Sequence, residues 1–326
     1  MQGYKERKSL TDKYLSAGYT RIPDSYLLKR IESPSESDRI ISGPVHIMPT
    51  DLELDVACLR LSKLAKMGKV DEKSLMIGFG GGANAILAIA SGVGNILLAD
   101  INPNQILAWQ DMFEVIRRVG IDATPQQFIS EYKNDYIRKG RTYDFVTSNK
   151  SEVFRNNADK LESVLTSFTK PESFGPYVRG SIEEFSKFLW LSSKENYKKF
   201  AENVIAGRVH LAVLDIHDLD TFQELGKDLE AQGLVTVMVH TSNISLFSRR
   251  NRLFYRGDEE KTTTGKVSRL AISESRINDF YSCISSVATP ETIIVMTSGR
   301  TGKRHPLRAH ELRNFQQLEP EFFLNK

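Results

Sequence analysis

The chain has 326 residues with 44 basic and 41 acidic side chains, a formal net charge of +3, and 40% of its residues are hydrophobic. That length can bury the core of one elaborated α/β domain, and the near-balance of charge gives no support to nucleic acid as a partner. Cys58 and Cys283 are the only cysteines and are far apart in sequence, which excludes a cysteine-rich zinc site and a disulfide framework. The N-terminal MQGYKERKSL has no apolar signal core, and no stretch reaches the roughly 18 to 20 apolar residues of a membrane span, so the expected location is the cytoplasm.

Residues 1–50 read as an arm or lid: Pro23, Pro34 and Pro44 interrupt a polar segment with a Ser-rich charged patch. From Asp51 to Met67 the leucines recur at helical spacing, with Thr50 as N-cap and Gly68 past the end. Ser74 to Phe79 then reads as a buried strand, Ala83 to Ser91 as a helix of small residues, and Asn95 to Ile101 as a second buried strand. A β-turn-α-β unit of this kind requires a parallel sheet with a right-handed crossover. Pro103 stands at the next helix start, and Gln105 to Val119 carries that helix to Gly120.

Residues 125–207 are helical and rich in aromatic side chains, and they read as an insertion that shapes a pocket or an interface. Alternation resumes with a strand from Val209 to Leu214, a helix from Asp220 to Ala231 and a strand from Leu234 to His240. A helix from Glu274 to Val287 and a strand from Thr292 to Thr297 follow. The division is an arm over 1–50, a Rossmann-like doubly wound domain over 51–310, and a tail over 311–326.

The chemistry concentrates at Gly78-Phe79-Gly80-Gly81-Gly82, where a buried strand turns into a helix. Glycines let the backbone approach a nucleotide there, and the N–H groups of the first helical turn donate to it. Asp100, 22 residues after Gly78, closes the next strand, where a carboxylate accepts from ribose hydroxyls. The same turn satisfies the dinucleotide pattern G-x-G-x-x-A, so NAD stays open beside other cofactors. Asp215-Ile216-His217-Asp218 offers metal ligands, a nucleotide-edge acid or a helix cap, and no metal site is assigned from it. His240, Ser242 and Asn243 end a strand on the edge where α/β sheets bind ligands, and are the candidate catalytic residues. Arg249, Arg250 and Tyr255 lie in a basic segment suited to an anionic small-molecule acceptor.

On IGFGGGANAI, LLADINPNQ, the run FLWLSSKENYKKFAENVIAGRVHLAVLDIHD and VMVHTSNIS, the chain resembles class I S-adenosylmethionine-dependent methyltransferases over roughly residues 50–300. It looks closest to their aminocarboxypropyl-transferring relatives, the nicotianamine and betaine-lipid synthases. The resemblance implies S-adenosylmethionine as cofactor, with Gly78, Gly80 and Gly82 along its methionine side, Asp100 at its ribose, Asp215 near its adenine, and Asn102 among the cofactor-binding residues. It implies transfer of a methyl or 3-amino-3-carboxypropyl group, with His240, Ser242 and Asn243 facing the sulfonium. Where the family turn carries an acid, two residues before its first glycine, this chain has Met76. An NAD-dependent oxidoreductase and a non-catalytic binding protein on the same fold are the two alternatives.

Overall fold

A computed structural model of the chain describes residues 45–49, 54–100, 102–141, 143, 145–147, 152–154, 157–242, 279–296 and 311–314. Its centre is a six-stranded sheet. In chain order the strands are β2 (Ser74–Phe79), β3 (Asn95–Asp100), β6 (Val209–Val213), β7 (Val235–Ser242), β8 (Ile293–Met296) and β9 (Glu311–Asn314), and their spatial order is β6-β3-β2-β7-β8-β9. The first five are parallel, and β9 joins the edge antiparallel to β8. The chain thus builds outward from β2 through β3 to β6, then returns to the other side of β2 with β7. The crevice between β2 and β7 is the switch point at which doubly wound sheets bind ligands.

Side-chain alternation explains why the sheet is covered on both faces. Met76, Ile96, Leu98, Met238 and Val295 enter one core with helices α1 (Leu54–Lys66), α2 (Ala83–Ser91) and α3 (Pro103–Val119). Leu75, Ile77, Leu97, Ala99 and Val239 enter the other, with α8 (Leu219–Ala231) and the helix over residues 279–287. Strands buried on both faces read as continuous apolar runs, as β2 does with every residue buried.

The crossover from β3 to β6 carries the elements predicted as an insertion: α4 (Pro125–Arg138), α5 (Ala158–Ser167), a 3-10 turn (Pro171–Tyr177), α6 (Ile182–Ser186) and α7 (Lys194–Ile205). Its aromatic side chains, among them Phe128, Tyr132, Trp190 and Phe200, pack into the first core. Two features were not expected. A small second sheet joins β1 (Val45–His46), β4 (Phe145–Thr147) and β5 (Glu152–Phe154), so the end of the predicted arm is tied to the crossover. Residues 311–314, assigned in sequence to a tail, form β9 of the main sheet. Among the described residues no helix is long and apolar enough to cross a membrane.

Candidate functional site

The turn from β2 into α2 assigns each glycine a different task. Gly80 takes φ +88, a left-handed conformation that favours glycine, and a Cβ there would meet nothing within 4 Å. Among the described residues, nothing fills the space above Gly80. Over Gly81 and Gly82 it is filled: a Cβ would lie 1.6 Å from the His46 carbonyl oxygen at the first and 2.0 Å from the Ile47 carbonyl oxygen at the second. The segment around β1 thus lies across the turn as a strap, held by the His46 N–H donating to Gln105 Oε1 at 2.7 Å.

Gly78 makes room for Asn84. The Asn84 amide nitrogen donates to the carbonyls of Phe79 and Gly80, both at 3.2 Å, which fixes its oxygen as the acceptor for His240 Nδ1 at 2.6 Å. Gly78 and His240 are register partners on β2 and β7, so this contact spans the switch point. It also assigns Nδ1 as the donor of this bond. His240 is 1% exposed and its Nε2 is shielded from solvent. The structure places His240, expected as a catalytic residue, against Asn84 at the start of α2.

Asp100 ends β3, half-buried, with Oδ1 accepting the Asn102 N–H at 2.8 Å. Asn102 caps α3 by accepting from the Asn104 N–H at 3.1 Å, so its side-chain oxygen serves the helix. The adjoining end of β6 is tied in by Leu214 N–H donating to the Asp100 carbonyl at 3.1 Å. Asp215 follows, 7% exposed, with Oδ1 at 3.0 Å from the His217 N–H and 3.1 Å from His217 Nδ1. Asp218 caps α8 through Thr221. The sequence thus brings Asp100 and Asp215 together on one sheet edge, beside open Gly80.

A recess opens beside this turn. It is a narrow recess, part of it open to solvent, between the strap, Gly82 and the first turns of α3, with room for about one water molecule. Trp109, Phe168 and Trp190 supply its aromatic walls, so three side chains of the crossover serve as pocket wall as well as core.

The DUF7790 family, a domain of unknown function, matches residues 66–258. The chain belongs to this family. No curated protein matches it. The DUF7790 segment contains the glycine turn, Asp100, Gln105, the aromatic walls and His240, and the strap lies before it.

The last residue of β7, Ser242, pairs along the backbone with Met296. Asn243, Arg249, Arg250 and Tyr255 lie outside the described residues. Asn84, Gln105 and the strap were not foreseen. The signal for Asn84 was a polar side chain in the first turn of the helix ANAILAIAS, whose only other polar residue is its last, Ser91; Gln105 and the strap had none.

The other reactive groups of the described residues serve structure. Asp111, Glu114 and Asp135 bring carboxylate oxygens close enough together for a metal, but cations of the chain already hold them. Lys139 Nζ lies 2.8 Å from both Asp111 and Asp135 and also bonds Glu114, while Arg141 reaches both Asp111 oxygens at 2.7 and 2.8 Å. Burial, reinforced by Asp215, Asp218 and Asp279, pushes the Cys283 thiol up to about 12, and burial together with Asp55 raises Cys58 as well. Neither cysteine offers a thiolate at neutral pH.

Proposed function

We propose that the DUF7790 domain binds S-adenosylmethionine at the carboxyl edge of its sheet and transfers a methyl or aminocarboxypropyl group from it to a small-molecule acceptor. The observation that carries this reading is the strap across Gly81 and Gly82. In a dinucleotide site the pyrophosphate approaches the start of the helix after the glycine turn. Here two carbonyl oxygens stand over that place, and oxygen lone pairs repel a phosphate. An adenosyl sulfonium carries no phosphate, so it is compatible with a turn covered in this way, whereas NAD is disfavoured.

The residues fit the adenosine half of such a cofactor. Asp100 would accept from the ribose hydroxyls, Gly80 would allow close approach, and Asp215 stands at the neighbouring strand end. When bound, the cofactor supplies an electrophilic carbon on its sulfonium, and the chain's task is to align the acceptor and exclude water. The strap and the aromatic walls of the recess suit that second task. The Asn84 and His240 pair would keep the two walls of the crevice in register.

Calorimetric titration with S-adenosylhomocysteine and, separately, NAD tests the proposal. The expected outcome is binding of the first alone, weakened by about 1 to 3 kcal/mol in Asp100→Ala through loss of a charge-assisted hydrogen bond. Binding of NAD alone would reject it in favour of an oxidoreductase. One observation favours a non-catalytic binding protein instead: Met76, at the place where the methyltransferases that the chain resembles carry an acid, is fully buried in the first core. Cofactor binding without turnover over a broad acceptor panel is the outcome that second reading requires.

A further inference from the structure

We infer that the outward face of α1 is a docking surface for a lipid bilayer that carries anionic headgroups. This face is separate from the sheet edge and holds whatever cofactor the edge binds. Helix α1 buries Leu54, Ala57, Cys58 and Leu61 in the first core. Met67 continues its last turn by donating its N–H to the Lys63 carbonyl at 3.2 Å, and Gly68, at φ +70, ends it. At 3.6 residues per turn, Leu59, Arg60, Lys63, Lys66 and Met67 share an arc of about 120° on the opposite side of the helix. All five are exposed, Leu59 at 39% and Met67 at 60%. Lys69, also exposed, follows directly. Two large apolar side chains are thus set among four cations.

Elsewhere the chain balances the charges of its solvated helices. On α7, Lys198 lies 3.9 Å from Glu202 and Lys199 lies 2.9 Å from Glu195. On α1 the balance is missing: residues 56–70 contain four basic side chains and no acid, in a chain whose net charge is only +3. The one acid of the helix, Asp55, is 1% exposed and turned inward, accepting the Arg179 and Gly180 N–H groups at 3.1 and 2.8 Å. None of the four cations has an anionic partner among the described residues. The charge alone would suit any polyanion, and the apolar pair selects the lipid surface. A phosphate backbone offers nothing to Leu59 and Met67. A bilayer takes apolar side chains below its headgroups, while Lys and Arg stems carry their charges to the phosphate level.

Co-sedimentation of the full chain with phosphatidylcholine vesicles, with and without phosphatidylglycerol, tests the inference. At about 0.1 M salt, binding is expected to the anionic vesicles alone. It should vanish at about 1 M, where the screening length falls from about 10 to about 3 Å. The triple variant Arg60→Gln, Lys63→Gln, Lys66→Gln should weaken binding about a hundredfold, at roughly fivefold per cation. Leu59→Ser with Met67→Ser keeps every charge and should weaken it about tenfold through lost apolar burial. Lys194→Gln, Lys198→Gln, Lys199→Gln on α7 removes as many cations and should leave binding unchanged. Every substituted side chain is exposed, and circular dichroism melts verify that the variants are folded. Binding to neither vesicle, equal binding to both, or equal losses in the α1 and α7 variants overturns the inference. Binding that survives the loss of Leu59 and Met67 undiminished overturns the lipid assignment in favour of a polyanion in solution.

Discussion

Asn84 Oδ1 and His240 Nδ1 lie 2.6 Å apart across the switch point of the sheet, and both residues are almost completely buried. The bond joins the first turn of α2 to the end of β7, and the same Asn84 amide also holds the Phe79 and Gly80 carbonyls. One side chain therefore sets the shape of the glycine turn and its distance from the neighbouring strand.

Asn84→Ala removes the partner of two carbonyls and one imidazole at once. An unsatisfied buried group costs about 1 to 3 kcal/mol, and relaxation of the turn recovers part of the total. A loss of about 3 kcal/mol is expected from urea unfolding. A double-mutant cycle with His240→Phe should give a coupling of about 1 kcal/mol or more, since each partner's loss leaves less for the other substitution to remove. Additive effects would mean that the 2.6 Å contact contributes nothing of its own.

The turn glycines should respond very differently to the same substitution. Gly80→Ala meets no atom of the described residues within 4 Å and bears the left-handed backbone, a cost of about 1 to 2 kcal/mol. Gly81→Ala drives a methyl group into the His46 carbonyl, which is backbone and cannot rotate away. The strap has to lift. Limited proteolysis is expected to cut Gly81→Ala within residues 40–50 faster than Gly80→Ala. Equal rates in the two variants would place the strap off the turn.

The legible parts of this sequence were those in which local chemistry and tertiary demand coincide. Strand β2 matches its predicted bounds because six buried residues flanked by polar segments admit few readings. Helix α2 does so because Gly82 and Gly92 bracket nine small or apolar residues. Strands β1, β4 and β5 are two or three residues long and owe their form to pairing, so no periodicity announces them. Strand β9 has only four residues, ELRN, and takes its place from pairing with β8. At the site, Asp100 was readable from its distance to the glycines. The roles of Gly81 and Gly82 were not, because the atoms that require glycine there belong to a segment some 35 residues earlier.

The carboxylate cluster on α3 and α4 should behave as an ion network. Lys139 and Arg141 already occupy the space between Asp111, Glu114 and Asp135, so Ca²⁺, Mn²⁺ or Zn²⁺ would have to displace an ammonium group. Thermal unfolding is expected to be unchanged by millimolar metal or by chelator. Asp111→Ala leaves two partly buried cations short of their principal anion, and a loss of about 3 kcal/mol is expected. A metal-dependent rise in melting temperature that Asp111→Ala abolishes would overturn this assignment.

His210, on β6, carries the clearest pH dependence. It is 3% exposed, neither ring nitrogen has a hydrogen-bond partner among the described residues, and burial pushes its pKa down to about 4 from an ordinary 6.5. Above pH 6.5 the ring is neutral in both folded and unfolded chains, and its contribution to stability does not vary. As the pH falls below 6.5 the unfolded chain takes up a proton that the folded chain refuses, so stability is lost down to about pH 4. The interval corresponds to about 3 kcal/mol at 1.36 kcal/mol per unit. His210→Phe removes the titrating group and the two buried nitrogens while keeping a ring, and should flatten this part of the curve with no loss at pH 7. Urea unfolding of both proteins at pH 7, 6, 5 and 4 measures the difference. Parallel curves would show that the imidazole is hydrated or bonded in solution, and that acid sensitivity arises from the carboxylates instead.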